Sequence, residues 1–321
     1  MYDSKVNTVL SRFEVIEGPP TKLTWQFTET EWKALREMKD ILPSIFTEAF
    51  PDNEKARFAP VTIWGVSVDP NFVDARASVV LMHFLRSKKL KIADAKQMLI
   101  DTLRWRAEFA PEKAAHEPYD EDVFGKAAQM FGKDKEGRPV QYNIMGRDVD
   151  MEKVFTDETK YLTWRIGLLE RGCMLLDFEN VDQLVQIYDF ARNERQTPQV
   201  KALVAAAGKI FRSYYPQMGH QVFFVYMITP GLFKAIFWCL HPFFPTRKLT
   251  EVKLLGVGPQ KVGSGLLPFI AASELPKPYG GTAEPKWATG PEWENTSCLR
   301  TPPAKTVDSE HVGPNYFTQD L

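Results

Sequence analysis

Sulfur has little to do in this chain. Cys173, Cys239 and Cys298 are odd in number and widely spaced, and no CxxC pair occurs. That pattern points away from a disulfide framework or a thiolate metal site, and reduced thiols in a cytosolic protein are expected. Histidine is also scarce. His83, His116, His220, His241 and His311 show no HExxH or other ligand spacing. Charge of one sign is missing too: 40 Lys+Arg stand against 41 Asp+Glu, a formal net charge of −1. Without a global basic field, nucleic acid is not an expected partner.

Nucleotide and nucleophile motifs are lacking. In "GVGPQKVGSG" (256–265) Lys261 stands where GxGxxG needs its third glycine, and no GK[ST] follows, so a surface loop is expected. In "VGSGL" Val262 stands where GxSxG needs its first glycine. The first twenty residues contain no apolar core of a secretory signal. An unbroken apolar run of membrane length is missing as well. "VFFVYMITPGLFKAIFWCLHPFF" (222–244) is long enough to span and has one formal charge, Lys234. Pro230 and Lys234 interrupt its middle and His241-Pro242 its end, so it reads as strand, turn and short helix.

What is present is ordinary globular material: 44% hydrophobic and 25% charged residues, enough for a substantial core. Aromatics are plentiful, with 22 Phe, 10 Tyr and 8 Trp, and can line a large apolar pocket beyond that core. Residues 1–29 read as a flexible tail. Trp32, Leu35, Met38 and Ile41 give a helical spacing that breaks near Pro43. "FAPVTIWGVSVDP" reads as short and extended, with Trp64-Gly65 at its centre. Leu81, Phe84, Leu85, Ile92, Ala95, Leu99 and Leu103 recur at spacings of three and four, which predicts a helical hairpin about "SKKLKI". Residues 30–110 therefore form an expected helical unit.

Beyond Pro111 strands alternate with helices. "KDKEGRPVQYNIMG" (133–146) runs from a charged glycine turn into a strand with Val140, Tyr142 and Ile144 on one face. Helices are expected at 157–178 and 198–216, and strands at 183–190, "QVFFVYMIT" and "LTEVKLLGV". This order predicts βαβ units and a mostly parallel sheet across 111–283. Residues 284–321 are rich in Pro, Gly, Ser and Thr and read as a flexible tail. On "LVQIYDF", Leu184, Gln186, Tyr188 and Phe190 share a face. A strand buried on both sides is usually apolar throughout, so Gln186 and Tyr188 either line a pocket or bond neighbouring backbone.

Five ordered segments then stand together. They are "HFLRSKKLKIADAKQMLIDTLRWR", with Phe84-Leu85-Arg86, Ala95, Leu99, Leu103 and Trp105-Arg106, then "DKEGRPV" (134–140), "IYDF" (187–190), "YYPQMG" (214–219) and "LPKPYGG" (275–281). Over roughly residues 60–281 the chain resembles the CRAL-TRIO family, the fungal phosphatidylinositol transfer proteins and their relatives. "IWGV" and "WRIGLLERGCMLLDF" (164–178) resemble a non-classical branch, some of whose members hold haem.

The resemblance implies an α/β fold: a helical N-terminal unit packed on a mostly parallel β-sheet, with flanking helices enclosing an apolar lipid cavity. Tyr142, Leu184, Gln186, Tyr188 and Phe190 would line that cavity. The helix from Pro230 would be a movable gate, with Phe233, Ile236, Phe237, Leu240 and Phe243 as its apolar stripe and Pro230-Gly231 and Pro242 as hinges. Lys88 and Lys89 match the basic pair of the inositol-headgroup site, and Arg165 is a further cation for anionic groups. Gln217 stands where the family has an acid and Glu251 where it has a base, so the resemblance does not fix the headgroup. Leu184 and Gln186 replace the small hydroxyl residues that hold phosphatidylcholine in classical members, and Arg192 replaces a turn glycine.

Three functions follow from the resemblance. The first is transfer of phosphatidylinositol or a related amphiphile between membranes, without covalent chemistry and without a required cofactor. Such a protein would be a cytoplasmic monomer that touches membranes such as the endoplasmic reticulum transiently and peripherally. The second is a haem b sensor or store using Tyr188, Arg165 and Met145, with Phe190 at the branch's tyrosine position and no other metal. The third is a non-catalytic interaction module acting through the Pro-rich tail.

Overall fold

The computed structural model describes residues 19–53, 55–147, 149–191, 197–226, 252–289 and 293. The helical unit contains α1 (Glu29–Asp40), α2 (Leu42–Ala49), α3 (Ala75–Ser87) and α4 (Ile92–Phe109). Thr28 starts α1 with a capping box: Glu31 N donates to Thr28 Oγ1 at 3.2 Å, and Thr28 N donates to Glu31 Oε2 at 2.9 Å. The other oxygen of Glu31 accepts from Arg86 Nε of α3 at 2.7 Å, tying the cap of α1 to α3. Residues expected in the N-terminal tail are packed. Thr24 and Phe27 are buried, Leu23 N donates to Glu179 O, and Phe27 lies between Trp32 and Arg86.

The segment expected as extended is a hairpin of β1 (Val61–Ile63) and β2 (Val66–Val68). Its turn is Trp64-Gly65, both left-handed at φ 53° and 82°, as a two-residue hairpin turn requires. A left-handed tryptophan costs conformational energy, and burial offsets it: Trp64 is 1% exposed and stacks on Phe84, Phe178 and Tyr215. That core does not stop at residue 110. It also takes in Ile166, Leu169, Cys173, Leu184, Tyr215 and Met218. An ion pair seals the junction, where Arg106 Nη2 meets Glu170 Oε1 at 2.5 Å and Tyr215 donates to Glu170 Oε2 at 2.7 Å.

After α5 (Pro111–His116) and α6 (Glu121–Phe124), the sheet runs in the order β3 (Ala128–Lys133), β4 (Pro139–Ile144), β5 (Leu184–Asp189), β6 (Gly219–Val225), β7 (Val252–Leu254). β3 and β4 are antiparallel and the other pairs parallel. Between strands lie α7 (Met151–Val154), α8 (Glu158–Met174) and α9 (Pro198–Tyr214). β3 escaped sequence reading, because "AQMFGK" has a glycine and no clean alternation. The charged turn before β4 is as expected. Asp134 Oδ1 accepts from the backbone of Glu136 and Arg138, and Gly137 sits at φ 95°.

One face of the sheet, called the outer face here, is closed. Tyr142, Ile187, Phe223 and Val225 pack against Val262, Leu266, Ile270 and Tyr279. Two expectations change on this side. Residues 259–265 are not loop but part of α10 (Pro259–Leu266), because Gly263 lets the helix approach the chain at Gly280: a Cβ there would stand 3.0 Å from Gly280 Cα. The C-terminal tail also begins as core, with Ala288 and Trp293 buried and Trp287 against Phe131 and Tyr142. Aromatic area outweighs the surrounding Pro and Gly. No described helix is long and apolar enough to cross a membrane.

Candidate inner-face binding site

Strand alternation builds the opposite, inner face. Gln141 and Asn143 leave β4 on the side away from Val140, Tyr142 and Ile144. Gln141 stands opposite Gln186 and Asn143 opposite Tyr188 in β5, while Gln186 and Tyr188 stand opposite Val222 and Phe224 in β6. A polar file therefore runs through an apolar frame. The Tyr188 and Phe190 rings stack on Phe224 at 5.4 and 5.8 Å, and Met145 packs against the same group.

α8 brings Trp164 and Arg165 to this face. Arg165 is 7% exposed, and its guanidinium lies 5.4 Å from the Phe211 ring centre. Asn143, Met145, Trp164 and Arg165 line a cavity of about 20 Å³ together with Val154 and Phe155. Burial pushes the Tyr188 phenol up, and Arg165 beside it pulls it part of the way back. The hydrogen bonds run in one direction: Tyr188 OH donates to Gln186 Oε1 at 3.4 Å, and Gln186 Nε2 donates to Gln141 Oε1 at 3.3 Å. Four buried polar atoms have no partner among the described residues: Gln141 Nε2, Asn143 Oδ1, Trp164 Nε1 and Arg165 Nη1. No described carboxylate pairs with Arg165.

The expected site residues separate. Gln186, Tyr188, Phe190, Met145 and Arg165 meet on the inner face. Leu184 starts the same strand but packs into the core of the helical unit. Tyr142 does not line this site. It pairs with Ile187, points to the outer face and packs 5.1 Å from the rings of Tyr279 and Trp287, because odd and even positions of β4 take opposite faces. Lys88 caps α3 and lines a groove of about 620 Å³ with Trp105, Arg212 and Tyr214. Lys89 follows at φ 55°. His83 on α3 bonds Pro216 O at 3.0 Å, which brings that helix to the turn holding Gln217. No hydrogen bond among the described residues joins the side chains of Lys88, Lys89 and Gln217, and neither Lys89, Gln217 nor Arg165 lines the Lys88 groove. Phe233, Ile236, Phe237, Leu240 and Phe243, with Glu251 and Arg192, lie outside the described residues.

Gln141, Asn143 and Trp164 were missed from sequence. The signal was there: in "VQYNIM" polar residues alternate with Val140, Tyr142 and Ile144, in phase with Gln186 and Tyr188.

The CRAL/TRIO domain profile matches residues 124–281, from α6 through every strand of the main sheet to the glycines after Tyr279. Residues 124–281 are a CRAL/TRIO domain. In this chain the CRAL/TRIO domain carries both sheet faces, and α1 to α4 precede it. Patellin-6 of Arabidopsis thaliana is 33% identical over 267 residues, covering 80% of this chain and 60% of Patellin-6. Phosphatidylinositol transfer protein sfh5 of Botryotinia fuckeliana is 27% identical over 236 residues, covering 68% of this chain and 52% of that protein. The chain thus spans only part of the length of these curated relatives. The crystal structure of Sfh5 superposes with a TM-score of 0.62 at 22% identity, covering 74% of this chain and 83% of that one, a likeness of CRAL/TRIO fold.

Proposed function

We propose that this protein binds a phospholipid or related amphiphile over the inner face of its sheet and transfers it between membranes without covalent chemistry. Phosphatidylinositol is the first candidate, in keeping with the name of the sfh5 relative. The observation that carries the reading is the inner face itself, where the apolar frame of Phe190, Val222 and Phe224 surrounds a buried polar file inside a CRAL/TRIO domain. Burial of acyl chain, worth about 0.8 kcal/mol per CH₂, would drive capture. Lys88 and Lys89 supply cations for a phosphate and Gln217 a neutral hydrogen-bonding group. The protein would act as a cytoplasmic monomer with transient peripheral contact to membranes such as the endoplasmic reticulum. Turnover is not part of the reading: the His83 imidazole, a natural base, is held on both sides by Asp182 at 2.9 Å and Pro216 O. The test offers the full chain vesicles of phosphatidylcholine containing labelled phosphatidylinositol. Uptake that falls several-fold in Lys88→Glu/Lys89→Glu supports the proposal. No extracted or co-purifying lipid overturns it.

A second reading places haem b on the same face, motivated by the side-by-side Tyr188 hydroxyl and Arg165 guanidinium. Tyr188 would be the iron ligand once released from Gln186, Arg165 would answer negative charge, and Met145 would pack the plane. Haem bound there would supply a redox-active iron. Protein expressed with haem precursor should then show a Soret band altered in Tyr188→Phe. No band, or one indifferent to Tyr188→Phe, excludes the reading.

A further inference from the structure

The inner face has a surplus of hydrogen-bond donors. The bonds run from the guanidinium side toward Gln141: Arg165 beside Tyr188, Tyr188 to Gln186, Gln186 to Gln141. Each link uses an acceptor, and the chain ends on the unpartnered Gln141 Nε2. Arg165 Nη1 and Trp164 Nε1 are also unpartnered donors, against one unpartnered acceptor, Asn143 Oδ1. Gln141 is 0%, Asn143 2%, Trp164 6% and Arg165 7% exposed, so bulk water does not satisfy them. A buried guanidinium without an anion is costly, and a donor-rich enclosure is completed by an acceptor carrying negative charge.

The size of the gap limits what enters. Asn143, Trp164 and Arg165 line about 20 Å³, room for one or two oxygens and not for a phosphoinositol headgroup. Around it the same face is hydrocarbon and aromatic: Phe190, Val222 and Phe224. An apolar body ending in a small planar anion matches both halves of the surface. A carboxylate offers two oxygens in the geometry of a guanidinium, and its remaining lone pairs suit an indole N–H group.

We infer that this face binds a carboxylate-ended amphiphile with its charged end inward, on Arg165 and Trp164, and its apolar body along Phe190 and Phe224. The inference rests on the amphiphile-binding reading and names one ligand class for it. It separates this inner site from the Lys88 groove, which is open and mixed in charge. Asn143 becomes a specificity residue, because its unpartnered oxygen accepts a hydrogen bond from a carboxylic acid or alcohol but repels a carboxylate placed too close.

The test compares oleate with oleyl alcohol, the same tail without the charge, by displacement of a fluorescent fatty acid from the full chain. Acetate is the third probe and reports a small free anion. Oleate should bind roughly tenfold or more tightly than oleyl alcohol, the scale of one charged hydrogen-bonded pair. Acetate should not compete at equal concentration. Arg165→Gln should remove the preference and leave oleyl alcohol binding in place. Asn143→Asp supplies the missing anion from within, so it should raise the melting temperature and abolish the oleate preference, which guards against a variant that only misfolds. Equal affinity for oleate and oleyl alcohol, or a preference that survives Arg165→Gln, overturns the inference. Acetate competing as well as oleate also overturns it, since the apolar body would then be irrelevant. Phosphatidylinositol uptake in the same samples reports the broader reading independently: uptake without an oleate preference sinks the inference alone, and no uptake of any lipid sinks both.

Discussion

Two buried arginines lie on opposite sides of one sheet, and they are treated differently. On the outer side Arg147 Nε donates to Asp189 Oδ2 at 2.7 Å, and Tyr279 OH donates to the same oxygen at 2.8 Å. Tyr226 and Trp293 lie against the guanidinium, with ring centres 4.8 and 4.3 Å away. On the inner side Arg165 has aromatic neighbours as well, Phe211 and Tyr188, but no described carboxylate. Burial of charge is thus compensated on one side and left open on the other. The difference separates a buried charge whose counter-charge is built into the fold from one with no described counter-charge.

The comparison can be broken first on the outer side. Asp189→Ala leaves Arg147 buried without its anion, and the expected loss is about 3–5 kcal/mol, read by urea unfolding. Next comes packing. A Cβ on Gly281 would lie 1.8 Å from Leu275 O, so Gly281→Ala must shift backbone on the closed face. A loss of about 1–3 kcal/mol is expected, read as a lower melting temperature. On the inner side Arg165→Leu removes a charge with no described counter-charge. Stability without ligand should stay within about 1 kcal/mol of the parent or rise, and ligand uptake should fall. A loss as large as that of Asp189→Ala would show that the two arginines are alike after all.

The smallest effect concerns acid. Burial opposes the ionised form of Asp177, but the backbone N–H groups of Val181, Asn180 and Glu179 and the Asn180 amide outweigh it and hold the carboxyl down to about 2. A folded pKa below the unfolded one stabilises above the unfolded value and is lost as pH falls. The stability gap between parent and Asp177→Asn should therefore be present at neutral pH and close between about pH 4 and 2. A gap that persists at the acid end contradicts this. Because Asp177 is exposed, the effect is modest.

Much of the architecture was legible before any coordinates. The three-and-four spacing of Leu81, Phe84, Leu85, Leu99 and Leu103 reports the helical hairpin, because an amphipathic helix repeats its buried side every turn. "DKEGR" reports the turn into β4, because Gly137 takes a conformation other residues resist. β3 was not legible, since its pairing with β4 and not its own composition makes it a strand. The tails were misjudged at Phe27 and Trp293 for the reverse reason: single aromatics anchor segments that are locally Pro-rich or polar. Of the residues on the inner face, Tyr188 and Arg165 were among those singled out from sequence and Gln141, Asn143 and Trp164 were not, while Tyr142, expected in the cavity, lies on the outer face.

By itself, the sequence determined the helical hairpin, the strands β4 to β7 and the helices α8 and α9 between them, the alternation within β4 and β5, and the near balance of charge. Only the tertiary structure decided which of the two faces of β4 carries the unpartnered buried amides of the candidate site. Alternation defines two faces without saying what covers either, and here both are buried. Only tertiary structure could also tell Arg147 from Arg165. Asp189 lies 42 residues from Arg147 along the chain and Tyr279 a further 90 beyond Asp189, so the neutralisation of a buried charge is a property of what folding brings together.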